Sequence, residues 1–371
     1  HTHAAMTLLR GYADDLPLME WLTQHIWPAE QKWVNDEFVH DGSQHAVAEM
    51  LRGGTTCFND MYFFPEVTAR VASSAGIRAC VGLILIDFPS AYGSGIEEYL
   101  EKGLSLHDQY RNDSLVRTAF APHAPYTVSN GPLERVRVLA DELEIPIHIH
   151  VHETADEVAN SLKDHGVRPL ERLRQLGMIG PSLMSVHMTQ LEESEIGQHA
   201  QANAHVVHCP ESNLKLASGF CPAQKLLDAG VNVALGTDGS ASNDDLDMLG
   251  EMRSAALLAK AVAEDASALP APTALRMATL NGARALGLDA EIGSLEVSKA
   301  ADLVAIRLDA VESQPLYNPI SQLVYSANRD CVTDVWVAGR HVLRERQLTT
   351  LDEEAVIARS REWAQRLAEG R

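Results

Sequence analysis

The sequence predicts an α/β protein, a (β/α)8 TIM-type barrel with a small β-sandwich appendage. Three observations predict it. Short apolar β-type runs recur through the first two thirds of the chain, amphipathic helical stretches separate them, and after about Leu288 the texture changes to short strands and turns. Strands alternating with helices make βαβ units and hence a parallel sheet.

The strands are read in order. Thr55-Thr56-Cys57-Phe58 follows a Gly-Gly turn, residues 77–86 are strongly apolar, and residues 115–121 run into a Pro-His-Ala-Pro break. Residues 145–151, 183–186, 204–208 and 231–235 complete a series of seven, and the opening residues can end an eighth. That number at roughly regular spacing suits a closed barrel better than an open sheet. Residues 133–143, 169–176 and 222–229 carry the helical periodicity between strands. Beyond the barrel, Ile292-Gly293-Ser294-Leu295, residues 301–306 and residues 335–339 read as short antiparallel strands, and residues 352–367 as a helix. The expected division is a barrel over 1–288, part of a small β domain over 289–350 and a C-terminal helix over 351–371.

Composition bounds the function. The 371 residues carry 30 basic against 51 acidic side chains, a formal net charge of −21. Nucleic acid and anionic membranes need a basic partner surface, so neither is expected. Five scattered cysteines with no CxxC pair argue against a disulfide framework or a cysteine-zinc site. No signal peptide opens the sequence, and no apolar run approaches the ~20 residues of a membrane-spanning helix. A soluble, cytoplasmic protein is expected.

The chemistry lies where polar residues meet strand ends, because barrels of this kind collect their active groups at the C-terminal ends of strands. In His1-Thr2-His3 the two imidazoles share a face and can chelate one metal ion. In Ile147-His148-Ile149-His150-Val151-His152-Glu153, three histidines alternate along an apolar strand before a glutamate. Buried imidazoles are costly unless paired or ligating, and periodicity does not say which of the three binds metal. His123 stands between prolines that hold it in a non-helical conformation. His187 ends one strand, and Gly236-Thr237-Asp238-Gly239 ends the last, followed by Ser242-Asn243-Asp244-Asp245. Three imidazoles and one carboxylate leave a divalent cation room for a water, which it acidifies towards neutrality. Glu153 is then the proton shuttle. No lysine near residues 120–127 offers a bridging carbamate, so one metal is expected rather than two. The HxE…PCxxC signature of cytidine-deaminase-type zinc enzymes is absent.

With these residues in view, the sequence resembles the mononuclear branch of the amidohydrolase superfamily, and within it the 5'-methylthioadenosine/S-adenosylhomocysteine deaminases. The strings that carry the resemblance are His1-x-His3 with the residues through Gly11, His123-Ala124-Pro125-Tyr126-Thr127, His150-x-x-Glu153, His187, residues 210–219 (PESNLKLASG) and Gly236-Thr237-Asp238-Gly239. The resemblance implies a barrel of the metal-dependent hydrolase kind and one divalent metal, zinc before iron or manganese. It implies His1, His3, His150 and Asp238 as ligands, so it selects His150 from the three. Glu153 would carry the proton, His187 and Asp238 would orient and polarise the attacking hydroxide, and His123 would hydrogen-bond the substrate. By position alone Trp21 is a helix-face aromatic and Glu30 a solvated carboxylate. The resemblance places Trp21 near the nucleoside and Glu30 on the two ribose hydroxyls, with Glu153 and Asp238 also touching substrate. Implied partners are a small-molecule nucleoside and further copies of the chain in a homodimer or higher homo-oligomer.

Two departures accompany the resemblance. Relatives that accept S-adenosylhomocysteine are expected to set arginines against its amino-acid carboxylate, yet residues 87–102 contain none, and the candidate substitutes, Arg111 and Arg117, lie further on. This tilts the expectation towards methylthioadenosine. The resemblance also implies a first barrel strand upstream of residue 1. The rival expectations are a related hydrolase acting on guanine, another aminated heterocycle or a triazine, and, more remotely, a non-catalytic metal-binding protein.

Overall fold

The computed structural model describes residues 1–370. Seven parallel strands form one curled sheet in sequence order: β1 (Cys57–Asp60), β2 (Arg78–Leu85), β3 (Val116–Pro122), β4 (Ile147–Val151), β5 (Leu183–His187), β6 (His205–His208) and β7 (Asn232–Leu235). Each strand pairs with the next, and helices on the outer face connect them. Alternation decides which side chains go where. Cys80, Ala119, Met184, Val186, Val207 and Ala234 point into the barrel, while Val81, Phe120, Ile149, Val206 and Val233 pack under the helices.

The first three residues join the two edges of this sheet. Thr2 bridges Asp60 in parallel, with Thr2 N–H donating to Asn59 O at 2.9 Å and Met61 N–H to Thr2 O at 3.0 Å. On the other side Asp238 N–H donates to His1 O at 3.1 Å. The approach requires Gly236, whose Cβ, if present, would stand 2.8 Å from His1 N. The barrel expected from the strand count is thereby closed at the end where the strands finish.

Beyond the barrel, β8 (Leu303–Ile306), β9 (Val332–Val337), β10 (Arg340–Arg344) and β11 (Gln347–Leu348) form a four-stranded antiparallel sheet, and the helix Glu353–Glu369 follows. The strand expected at Ile292-Gly293-Ser294-Leu295 does not form. Gly293 takes φ +91° against Leu280 and Ala283, and Ile292 is buried with Ala283 and Leu288 beneath the barrel helices, so the segment is a turn that leaves Leu295 exposed. Near the site, Leu18–Trp33 is one helical stretch that widens to a π turn over Trp21–Ile26. The wider turn precedes Pro28, which has no N–H for an ordinary helical bond. Among the described residues no helix is long and apolar enough to cross a membrane.

Candidate metal centre and its cavity

The predicted metal ligands, Glu153, His123 and His187 stand at strand ends or beside them, and Trp21 and Glu30 stand on the helical stretch Leu18–Trp33. His1, His3, His150 and Asp238 each offer one ligand atom, and these atoms lie within 4.8 Å of one another, the one such cluster among the described residues. Asp238 Oδ1 is 3.2 Å from His1 Nε2 and 3.1 Å from His3 Nε2, and His150 Nε2 is 3.2 Å from His1 Nε2. The far side of two rings is fixed: His3 Nδ1 donates to Met61 O at 2.5 Å, and His150 Nδ1 donates to His123 O at 2.8 Å. With those protons on Nδ1, both Nε2 atoms turn lone pairs inward, where a cation can take them. Ligand atoms about 2.0–2.1 Å from a tetrahedral zinc ion stand about 3.3 Å apart, close to the spacings found. The donor set therefore fits a single divalent metal.

The remaining two histidines of β4 do other things. His148 is fully buried behind His1, ring centroids 4.6 Å apart, with no partner for either nitrogen among the described residues. His152 does not continue the alternation expected of three in register. Its φ of +56° ends the strand and turns the ring away, to accept from Leu170 N–H at 3.1 Å and to donate from Nδ1 to Gln190 O at 3.1 Å.

His187 (φ +75°) and Asp238 (φ +62°) also occupy the left-handed region. Such backbone costs of order 1 kcal/mol or more for non-glycine residues and recurs where a site holds it. Here it lets consecutive strand-end residues face one centre. Glu153 is buried, with Oε1 3.8 Å from His187 Nε2. Burial raises its carboxyl above the usual range, partly offset by His187 and reinforced by Asp238, which suits a group that must both take and give a proton. Burial likewise pushes His123 down to about 3, so its ring is neutral, and its Nδ1 is 2.9 Å from Thr127 Oγ1.

His3, His123, His150, Glu153, His187 and Asp238 share a cavity of about 430 Å³ with Trp21 and Glu30. Trp21 is 5 % exposed and donates from Nε1 to Ala13 O at 3.1 Å. Glu30 is not a solvated carboxylate. Burial raises it to about 7 despite the opposing Tyr62 hydroxyl and His3. Much of the remaining wall is apolar: Ile26, Trp27, Phe63, Ile84, Ile86 and Phe88. No lysine or arginine among the described residues lines it. Arg111 and Arg117 do not substitute. They pair with Asp108 and Glu291 and line a different cavity, with Pro146 and Ser182 at the opposite ends of the strands.

Several residues of the site have no role in the sequence reading. Ser212 and Ser242 donate to Asp238 Oδ2 at 2.7 and 2.9 Å, and Asn213 meets His187. These three stand inside strings already conspicuous in the sequence. Tyr62 does not, and no local pattern marks it, while Glu157 follows Thr154 at the spacing of a helix capping box, a pattern that marks a helix start and not a part in the site.

Over residues 1–342 the sequence matches the amidohydrolase family. It is 54% identical over 363 residues to the 5-methylthioadenosine/S-adenosylhomocysteine deaminase of Saccharophagus degradans, spanning 98% of this chain and 81% of that protein. It is 43% identical to the 5'-deoxyadenosine deaminase of Methanothermobacter thermautotrophicus, over 96% of this chain and 83% of that one. The crystal structure of an adenosine deaminase from Xanthomonas campestris with bound zinc has a TM-score of 0.99 at 58% identity, covering 100% of this chain and 84% of that one. Fold, cavity and sequence agree: the chain belongs to the amidohydrolase family.

Proposed function

We propose that the chain hydrolytically deaminates the adenine ring of 5'-substituted adenosines, 5'-methylthioadenosine foremost, giving the inosine analogue and ammonia. The observation that carries this reading is one cavity holding the ligand cluster, a buried proton carrier and a second, half-buried carboxyl at Glu30. Zinc is the proposed metal, with iron(II) and manganese(II) suited to the same donors. Held by His1, His3, His150 and Asp238, it supplies acidification of the attacking water.

The chain's own residues do the rest. Glu153 takes a proton from the attacking water and delivers it to the ring nitrogen beside the reacting carbon. The amino group then leaves with a second proton as ammonia. His187 and Asp238 orient the attacking oxygen, and His123, neutral and half-buried, hydrogen-bonds the base. Glu30 accepts the two ribose hydroxyls, and Trp21 packs against the nucleoside. The apolar wall around Trp27 and Phe88 takes the 5' thioether. A guanine or triazine hydrolase is the less favoured reading, because those substrates give Glu30 no pair of hydroxyls to hold.

The test is ultraviolet absorbance of methylthioadenosine, adenosine and S-adenosylhomocysteine with the zinc-loaded protein. Loss of the adenine spectrum is expected, and its persistence with all three sinks the nucleoside assignment. Glu153→Gln is expected to lower kcat about 10²-fold or more. Near-normal turnover in that variant removes Glu153 from the chemistry.

A further inference from the structure

The PESN string is quoted for its resemblance, yet the reading above gives it no work. Its last two residues are among the most buried polar groups of the chain, Ser212 at 0% and Asn213 at 1% exposure. Both sit in the helix Pro210–Lys215 that follows β6. Each reaches a different member of the site.

We infer that Ser212 and Asn213 form one positioning unit, Ser212 selecting the Asp238 oxygen that faces the metal ligands and Asn213 selecting the tautomer in which His187 faces Glu153. The inference rests on the deaminase reading for its catalytic consequence, while its structural half stands on the contacts alone.

For Asp238 the selection is direct. Ser212 Oγ donates to Oδ2 at 2.7 Å, and Ser242 Oγ donates to the same oxygen at 2.9 Å. Two hydroxyl donors hold Oδ2, which leaves Oδ1 facing His1 and His3 at 3.2 and 3.1 Å. A carboxylate fixed by such donors loses less freedom on binding a cation.

For His187 the selection is of a proton's place. Asn213 Oδ1 is 2.9 Å from His187 Nδ1. An amide oxygen only accepts, so His187 Nδ1 carries the proton and donates it. Nε2, the atom 3.8 Å from Glu153 Oε1, then presents a lone pair to the site. That lone pair can accept from an attacking water and aim its oxygen. Asn213 Nδ2 is meanwhile buried with no partner among the described residues. An orphaned buried donor costs about 1–3 kcal/mol. An asparagine kept in spite of that cost points to the work of its other half, the carbonyl on His187.

Selective ¹⁵N labelling of histidine in the zinc-loaded wild-type protein reads the tautomer, the His187 signals being assigned by their loss in His187→Asn. The expected result is a proton on Nδ1, and a proton on Nε2 overturns the Asn213 half. Asn213→Leu is expected to lower kcat about 10–100-fold while leaving KM for methylthioadenosine within about threefold. A kcat within twofold of wild type overturns that half as well. Ser212→Ala is expected to weaken zinc about 10–100-fold in competition with a chelator, and an affinity within twofold overturns the Ser212 half. The tautomer and the zinc affinity are read without substrate. A wrong nucleoside assignment would therefore appear as absent turnover with both intact, distinct from failure of the positioning unit.

Discussion

The backbone N–H of Glu153 donates to Glu157 Oε2 at 2.7 Å, and that of His152 to Oε1 of the same carboxyl at 3.1 Å. Glu157 lies in the first turn of the helix Ala155–His165, so a helix start holds the strand end that carries the proposed proton carrier. Burial raises the Glu157 carboxyl to about 8, against the pull of those N–H groups. Glu157→Leu leaves two buried donors without partners, about 1–3 kcal/mol for each. Denaturant unfolding is expected to show that loss, and kcat to fall with it. Glu157→Gln keeps one acceptor and is expected to lose about half as much. Equal stability for the leucine variant and wild type refutes the role.

Glu30 makes substrate capture depend on pH. A carboxyl accepts two hydroxyls best as the anion, and burial sets this one near 7. The capturing form is lost as pH falls through that value, leaving about a tenth of the groups ionised one unit below it. With zinc content held constant, kcat/KM for methylthioadenosine is expected to fall about tenfold from its plateau as pH falls to 6. Glu30→Gln, which has no ionisation there, should flatten that limb and lower the plateau. An unchanged limb in the variant would assign the titration elsewhere.

The arginine-free cavity sets the order of substrates. An amino-acid carboxylate drawn into an apolar wall without a cationic partner forfeits charge-assisted hydrogen bonds of about 1.5–3 kcal/mol. Methylthioadenosine is therefore expected to exceed S-adenosylhomocysteine by about 10–100-fold in kcat/KM. Phe88, 40% exposed and 6.1 Å from the Trp27 ring centre, is a place for a cation. Phe88→Arg should narrow the ratio about fivefold or more. A wild-type ratio near one means that another group receives the carboxylate.

Much of this site is legible in the sequence because its ligands obey short-range rules. All seven strands form where apolar runs lie between helical stretches, and His123, His187 and Asp238 are read correctly as strand-end groups because a strand's direction fixes which end is active. Period-two alternation explains His148 and His150 but fails at His152, because one left-handed residue ends the pattern and no neighbour in sequence announces it. Gly293 misleads similarly: its segment reads as a strand until the glycine is seen at φ +91° against Leu280 and Ala283. Tyr62, Glu157 and Asn213 act on residues 32, 4 and 26 positions away, as separations such as that of Asn213 from His187 show. The folded barrel brings Tyr62 to Glu30 and Asn213 to His187, whereas Glu157 reaches Glu153 across one helix start.

The three histidines of residues 148–152 should separate cleanly by metal content and stability. His150 alone places a nitrogen in the ligand cluster, so His150→Ala is expected to drop zinc well below one per chain. His148 is fully buried with both nitrogens unpartnered among the described residues, and an apolar group of like shape removes that cost. His148→Leu should keep its zinc and melt at or above the wild-type temperature. His152→Leu should also keep zinc, yet it strands the Leu170 N–H, while Arg168 still donates to Gln190 O, and should lose about 1–3 kcal/mol. Chelation supplies the remaining arm. An ion that binds only the folded chain stabilises it by about 2.7 kcal/mol at a free concentration a hundred times Kd. Removing zinc should lower the melting temperature of wild type, His148→Leu and His152→Leu together, and leave His150→Ala unmoved. Zinc retained by His150→Ala, with a melting temperature that still responds to chelation, would move the metal away from this cluster.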